Sequence, residues 1–111
     1  MDLTCHPYEH RGVGVLAVSG EIDLATAPRL REHLVRLVTE HAGRPVVVDL
    51  SGLTFCDSLG LGMLVGAQRR ARALQGEVRL VLPAGRAADG FALVGLEGVL
   101  PSFADVDAAT N

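Results

Sequence analysis

Residues 46–74, VVVDLSGLTFCDSLGLGMLVGAQRRARAL, change their hydrophobic period part-way along. Val46–Leu50 is a short, mostly β-branched run, which suits a strand buried on both faces of a sheet. Ser51–Phe55 reads as a turn-like link. Asp57-Ser58-Leu59-Gly60 then opens a helical pattern that runs from about Gly60 to Leu74 and ends near Gly76. A central strand handing over to a helix puts one acid and one hydroxyl where backbone N–H groups have no intrahelical partner and favour negative charge. A serine at such a corner can be a helix cap, a nucleophile or a phosphate acceptor.

The flanking sequence supplies the rest of the sheet. Leu3–Tyr8 is a weak strand, Glu9-His10-Arg11-Gly12 a turn and Val13–Ser19 a second strand, together an edge hairpin. Gly20-Glu21-Ile22-Asp23 follows as a loop. Asp23 and Thr26 are candidate N-caps, and Pro28 belongs in a first helical turn. Ala27, Leu30, Leu34, Leu37 and Val38 share one helical face, with Gly43 as the stop. In the later helix, Gly60, Met63, Leu64, Ala67, Ala71 and Leu74 form the expected core stripe. Leu61 and Val65 point away from it. Val78–Leu82 is another strand, and Pro83-Ala84-Gly85 breaks the chain. Arg86–Leu96 reads as a short helix burying Phe91 and Val94, Val99-Leu100 as a last strand and Ala104–Thr110 as a weak terminal helix.

With no repeat or linker, residues 1–111 read as one domain. The order β-β-α-β-α-β-α-β-α predicts an α/β fold: a mostly parallel sheet of four to five strands, an N-terminal hairpin and about four helices. Functional loops of such sheets lie at strand C-terminal ends. Asp23 follows the second strand and Asp57-Ser58 the third, so both loops should open at one end. Two carboxylates and a hydroxyl meet there without a metal or cofactor motif.

Composition removes several chemistries. The net charge is −3 and no basic tract occurs, which argues against sequence-independent nucleic-acid binding. All ten basic residues are Arg. Without lysine there is no Schiff base, no Walker-type loop and no receiver-type aspartyl switch. Cys56-Asp57-Ser58-Leu59-Gly60 lacks the first glycine of a hydrolase elbow. His6, His10, His33 and His41 read as surface residues rather than as a base for Ser58. Cys5 and Cys56 have no metal-ligand spacing and are expected as reduced thiols, with nothing basic beside Cys56 to activate it. No signal peptide or membrane-spanning run is visible, which predicts a cytoplasmic chain without membrane contact.

The Gly20-Glu21-Ile22-Asp23-Leu24-Ala25-Thr26-Ala27 stretch, the VVVDLSGLTFCDSLGL stretch and the order of elements resemble the STAS domain, and within it the bacterial anti-sigma factor antagonists. The resemblance covers essentially the whole chain. It implies that Ser58, in the D-S-x-G tetrad, is phosphorylated by an anti-sigma factor that is itself a serine kinase. The unphosphorylated form would bind that factor and free the sigma factor, and a phosphatase would reset the cycle. Asp23 and Asp57 match the family's loop acid and the acid before the serine. Leu59 departs from the Ser or Thr that many relatives carry, so no second acceptor stands beside Ser58. The expected partner surface takes in Glu21, Asp23, Thr26, Asp57, Leu59 and Gly60, with Leu61 and Val65 on the outer side of the helix. The resemblance implies no enzyme activity, cofactor or metal, and a monomer when free. The alternative is a non-switching STAS scaffold subunit of a transport or stress-signalling assembly.

Overall fold

In the computed structural model, residues 2–82 and 98–111 are described. Arg11 and Gly12 both adopt positive φ, 56° and 79°. That is the turn whose twist matches an antiparallel pair. It joins strand β1, Leu3–His10, to strand β2, Val13–Ile22, with His10 opposite Val13. Helix α1 spans Ala27–Glu40, strand β3 Pro45–Cys56, helix α2 Ser58–Ala73 and strand β4 Glu77–Val81. Strand β5, Ser102–Phe103, and helix α3, Val106–Ala109, close the chain. The predicted break at 83–85 and the predicted Arg86–Leu96 helix lie outside the described residues.

The sheet order is β1-β2-β3-β4-β5, antiparallel at the hairpin and parallel elsewhere. Each parallel crossover steps to the next strand in the same direction, and right-handed crossovers therefore lay α1 and α2 on one face. The side chains agree. Leu30, Leu34, Leu37 and Val38 of α1 and Leu64, Ala67 and Ala71 of α2 pack with Val46, Val48 and Leu50 of β3. The α1 residues buried are the five that its periodicity selects. Val47, between two of these β3 residues, points to the opposite face. There it meets Val15, Val81 and Ala109 under α3.

Several boundaries differ from the sequence expectation: β1 runs on through Glu9 and His10, α2 begins at Ser58, and α3 is only Val106–Ala109. β2 runs on through Gly20–Ile22, which read as a loop, and β3 runs on through Ser51–Cys56, which read as a link. The two extensions pair with each other. β3 carries one residue more than β2 between Ala17 and Ser19, and again between Gly20 and Glu21. These bulges put turn-forming residues inside a strand. Asp49 holds the first of them by accepting the Ser51 N–H at 3.0 Å and its hydroxyl at 2.6 Å. Gly52 is needed because a Cβ there would stand 2.7 Å from Ser19 Cβ. The last strand is Ser102–Phe103 rather than Val99-Leu100. Leu100 is spent on the core, and pairing with β4 begins with the Leu80 N–H donating to the Pro101 carbonyl.

The core stripe of α2 is rotated from the expected one. Leu74 is exposed, Met63 is half-buried, and Gln68 is buried instead. The Gln68 amide donates to the carbonyls of Val78 and Val99 at 3.0 and 2.7 Å, and its oxygen accepts the Val78 N–H at 2.7 Å. One side chain thus ties α2 to the start of β4 and to the segment before β5. Gln68→Leu keeps similar bulk but orphans buried backbone groups at about 1–3 kcal/mol each. Denaturant unfolding should show a loss of at least that size.

Candidate functional site

The paired extensions of β2 and β3 build the site. Their last partners are Ile22 and Cys56, and the Asp57 N–H donates to the Ile22 carbonyl at 3.3 Å. The residues that follow, Asp23 and Asp57, therefore leave the sheet side by side. Each carboxylate then closes its own loop. Asp23 Oδ1 accepts the N–H groups of Ala25 and Thr26 at 2.9 and 3.0 Å. Thr26 is buried, accepts the Asp23 N–H and donates its hydroxyl to the Glu21 carbonyl, each at 3.0 Å. It occupies the N-cap position of α1 without a side-chain cap bond. Asp57 is the N-cap of α2, its Oδ1 accepting the N–H groups of Leu59 and Gly60 at 3.1 and 3.2 Å.

Ser58 is left over. It is the first helical residue rather than the cap, it is exposed, and its hydroxyl bonds to none of the described residues. The nearby hydroxyls are all committed: Thr26 to Glu21, Ser51 to Asp49 and Thr54 to the Gly20 carbonyl at 3.0 Å. No described histidine bonds to Ser58. His10 lies 2.6 Å from Asp107, His6 stacks on Tyr8, and His41 is half-buried with its ring against Gly14.

Gly60 of the tetrad has a packing reason. A Cβ there would come within 2.5 Å of Cys56 Sγ and 2.8 Å of Ile22 Cγ2. The bare backbone lets the first turn of α2 sit on the ends of β2 and β3. Leu61 and Val65 do not stand free on the solvent side; both are half-buried and touch the main core. Apolar surface is exposed elsewhere at this end. Leu24 is 79% exposed, Phe55 49% and Leu59 41%. Leu24 follows Asp23, Phe55 pairs with Glu21, and Leu59 follows Ser58. Sequence reasoning passed over Leu24 and Phe55 because both stood in stretches read as loop or link. A large apolar residue in a loop between polar neighbours was the available signal.

Residues 6–109 match the STAS domain family. The chain belongs to that family. The anti-sigma-F factor antagonist RsfB of Mycobacterium tuberculosis is 39% identical over 62 residues, which are 56% of this chain and 50% of RsfB. This chain thus matches about half the length of that relative. The anti-sigma-B factor antagonist of Listeria monocytogenes is 38% identical over 84 residues, 75% of this chain and 72% of that one. The crystal structure of an anti-sigma factor antagonist from Mycobacterium paratuberculosis superposes with a TM-score of 0.84 at 30% identity, over 98% of this chain and 92% of that one. All three of these relatives are named as anti-sigma factor antagonists.

In this STAS domain the thiol beside the site is quiet. Cys5 and Cys56 are both free. Burial, and then the Asp57 carboxylate, push the Cys56 thiol from 9.0 up to about 11. The thiol therefore stays protonated at pH 8, and its thiolate forms only as the pH rises towards 11. Alkylation of Cys56 by iodoacetamide at pH 8 should be much slower in the folded chain than in urea, and should accelerate above pH 10. Equal rates in both would contradict this environment.

The division of roles between Asp57 and Ser58 is also measurable. Asp57→Ala removes the cap of α2 and should cost about 0.5–2 kcal/mol. Ser58→Ala removes an exposed, unbonded hydroxyl and should leave stability within about 0.5 kcal/mol. Thermal or urea unfolding of the two variants checks the contrast.

Proposed function

We propose that this STAS domain is a cytoplasmic anti-sigma factor antagonist switched by phosphorylation of Ser58. Its partner is an anti-sigma factor with serine-kinase activity. The unphosphorylated chain, a monomer when free, binds that factor and releases the sigma factor. A phosphatase acting on phospho-Ser58 restores binding. The observation that carries this reading is the free, exposed Ser58 hydroxyl, next to an acid that does the capping a serine would otherwise do. The serine has no structural duty to lose when it is modified.

The partner surface is centred on the same end. Leu24, Phe55 and Leu59 supply exposed apolar anchors, and Glu21, Asp23 and Asp57 supply a charged rim, the composition of a binding patch. Thr26 and Gly60 shape the loops beneath. The exposed parts of Leu61 and Val65 extend the patch along α2.

The switch acts on this surface rather than on the fold. A phosphate adds about −1.5 to −2 charge at pH 7. The N-terminus of α2 favours it by roughly 0.3–1 kcal/mol at an exposed site, while the neighbouring carboxylates repel it. Both effects are small against the ~5–15 kcal/mol that holds a domain. At a fitted interface the same dianion meets like charge and desolvation, at a cost of several kcal/mol.

The test is reaction with the cognate kinase and ATP, followed by phosphopeptide mapping and backbone NMR. Phosphate should appear on Ser58, with shifts confined to the two loops and the first turn of α2. Ser58→Ala should bind the anti-sigma factor constitutively, and Ser58→Glu should bind poorly while melting near wild type. Leu24→Ala and Phe55→Ala should each weaken binding about tenfold. A Ser58→Ala chain that still takes up a full equivalent of phosphate sinks the switch. A chain that takes up none and binds no such factor fits the scaffold reading instead.

A further inference from the structure

Along the outer side of the helical layer, between α1 and α2, runs a groove of about 530 Å³. Leu34 of α1 and Met63 of α2 give it apolar walls, and Gly62 and Gly66 leave part of it without side chains. A Cβ at either glycine would meet no heavy atom within 4 Å, and neither has the left-handed backbone that favours glycine. Gly60 is needed to fit α2 against the sheet; Gly62 and Gly66 are not. Glycine weakens a helix interior relative to alanine, and at these two positions what it provides is open volume.

The charge of the groove is the second observation. Among the described residues, the ionisable side chains lining it are Arg31 and Arg70, and no carboxylate does. Both arginines are exposed, and neither side chain bonds to or pairs with any described residue. Of the other arginines of these helices, Arg29 donates to the Leu3 carbonyl, Arg36 pairs with Glu32 and Arg72 donates to the Val99 carbonyl, whereas the Arg69 side chain has no partner among the described residues and does not line the groove. A chain of net charge −3 thus carries an apolar groove whose charged groups, among the described residues, are two guanidiniums without a partner there. Its volume falls within the ~300–1,000 Å³ of small-molecule sites, which pair apolar walls with a few placed polar groups.

We propose that the α1–α2 groove binds a small amphiphile with an apolar body and one anionic head group, of the medium-chain carboxylate class. The apolar body lies along Leu34, Met63 and the open glycines, and the carboxylate is met by Arg31 and Arg70. Ser58 and Leu59 line the same groove, so an occupant abuts the first turn of α2. The proposal does not rest on Ser58 being modified, but a phosphate there would place a second anion at that end of the groove and weaken binding of an anionic occupant.

The experiment is an NMR titration of the unphosphorylated full chain at pH 7 with sodium decanoate, decanamide and acetate. Decanoate should give saturable shifts centred on Leu34, Gly62, Met63 and Gly66, and the other two should bind far more weakly. Arg31→Gln combined with Arg70→Gln should weaken decanoate about tenfold, with melting unchanged. Gly66→Leu, whose Cβ would meet no heavy atom within 4 Å, should fill the groove and abolish the shifts without lowering the melting temperature. Decanamide binding as well as decanoate, no response to the double arginine variant, undiminished shifts in Gly66→Leu, or an acidic amphipathic peptide binding where decanoate does not would each overturn the proposal.

Discussion

The parallel pairing of β2 with β3, kept up to Ile22 and Cys56, is the constraint on which the site depends. Without it the two strands would part near Ser19 and Ser51, and their loops would open apart. Keeping the strands together requires two extra residues in β3, a glycine at position 52 and the Asp49 carboxylate on Ser51. Each ladder hydrogen bond is worth only about 0.5–1.5 kcal/mol net. Their combined effect is positional: Asp23 and Asp57 emerge as neighbours, and α2 starts against the strand ends.

That start settles what each group at the corner is free to do. A helix N-terminus offers unpaired N–H groups, and something must accept from them. Asp57 accepts two, and Asp23 does the equivalent in the loop before α1. The carboxylates are therefore consumed by architecture, and neither is arranged as a base for Ser58. A serine without a base is a poor nucleophile, but an exposed one beside a rigid corner is an accessible acceptor. The same carboxylates give the corner its negative character, and burial together with Asp57 keeps the adjacent Cys56 thiol protonated.

The two faces of the sheet are unequal for a topological reason. Successive crossovers in one direction commit both long helices to one side, where most of the core lies. The other side is closed over Val15, Val47 and Val81 by α3, a single turn capped by Asp105. Arg79 braces it by donating to the Ala109 carbonyl at 3.0 Å, with its guanidinium over the Phe103 ring. The His10–Asp107 contact joins the hairpin turn to this helix at the surface, where such pairs contribute little. The face with the deep core therefore also carries the groove, since two long helices lie side by side there.

The amino-acid sequence by itself determined the hairpin, the buried face of α1, the alternation that makes the sheet mostly parallel, and the D-S-x-G corner. Each is written in contacts between residues close along the chain: a turn at Arg11-Gly12, a 3.6-residue period, an acid at a helix start. It did not determine where β2 and β3 end, because Ser51 and Gly52 look like a turn unless the partner strand is present to make them a bulge. Nor did it show that Gln68 is core, since the groups it bonds, at Val78 and Val99, come from distant parts of the chain. Which of Asp57 and Ser58 caps α2 was likewise not legible. Only the tertiary structure, by setting the first turn of α2 against Ile22 and Cys56, directs the carboxylate onto the helix and leaves the hydroxyl in solvent.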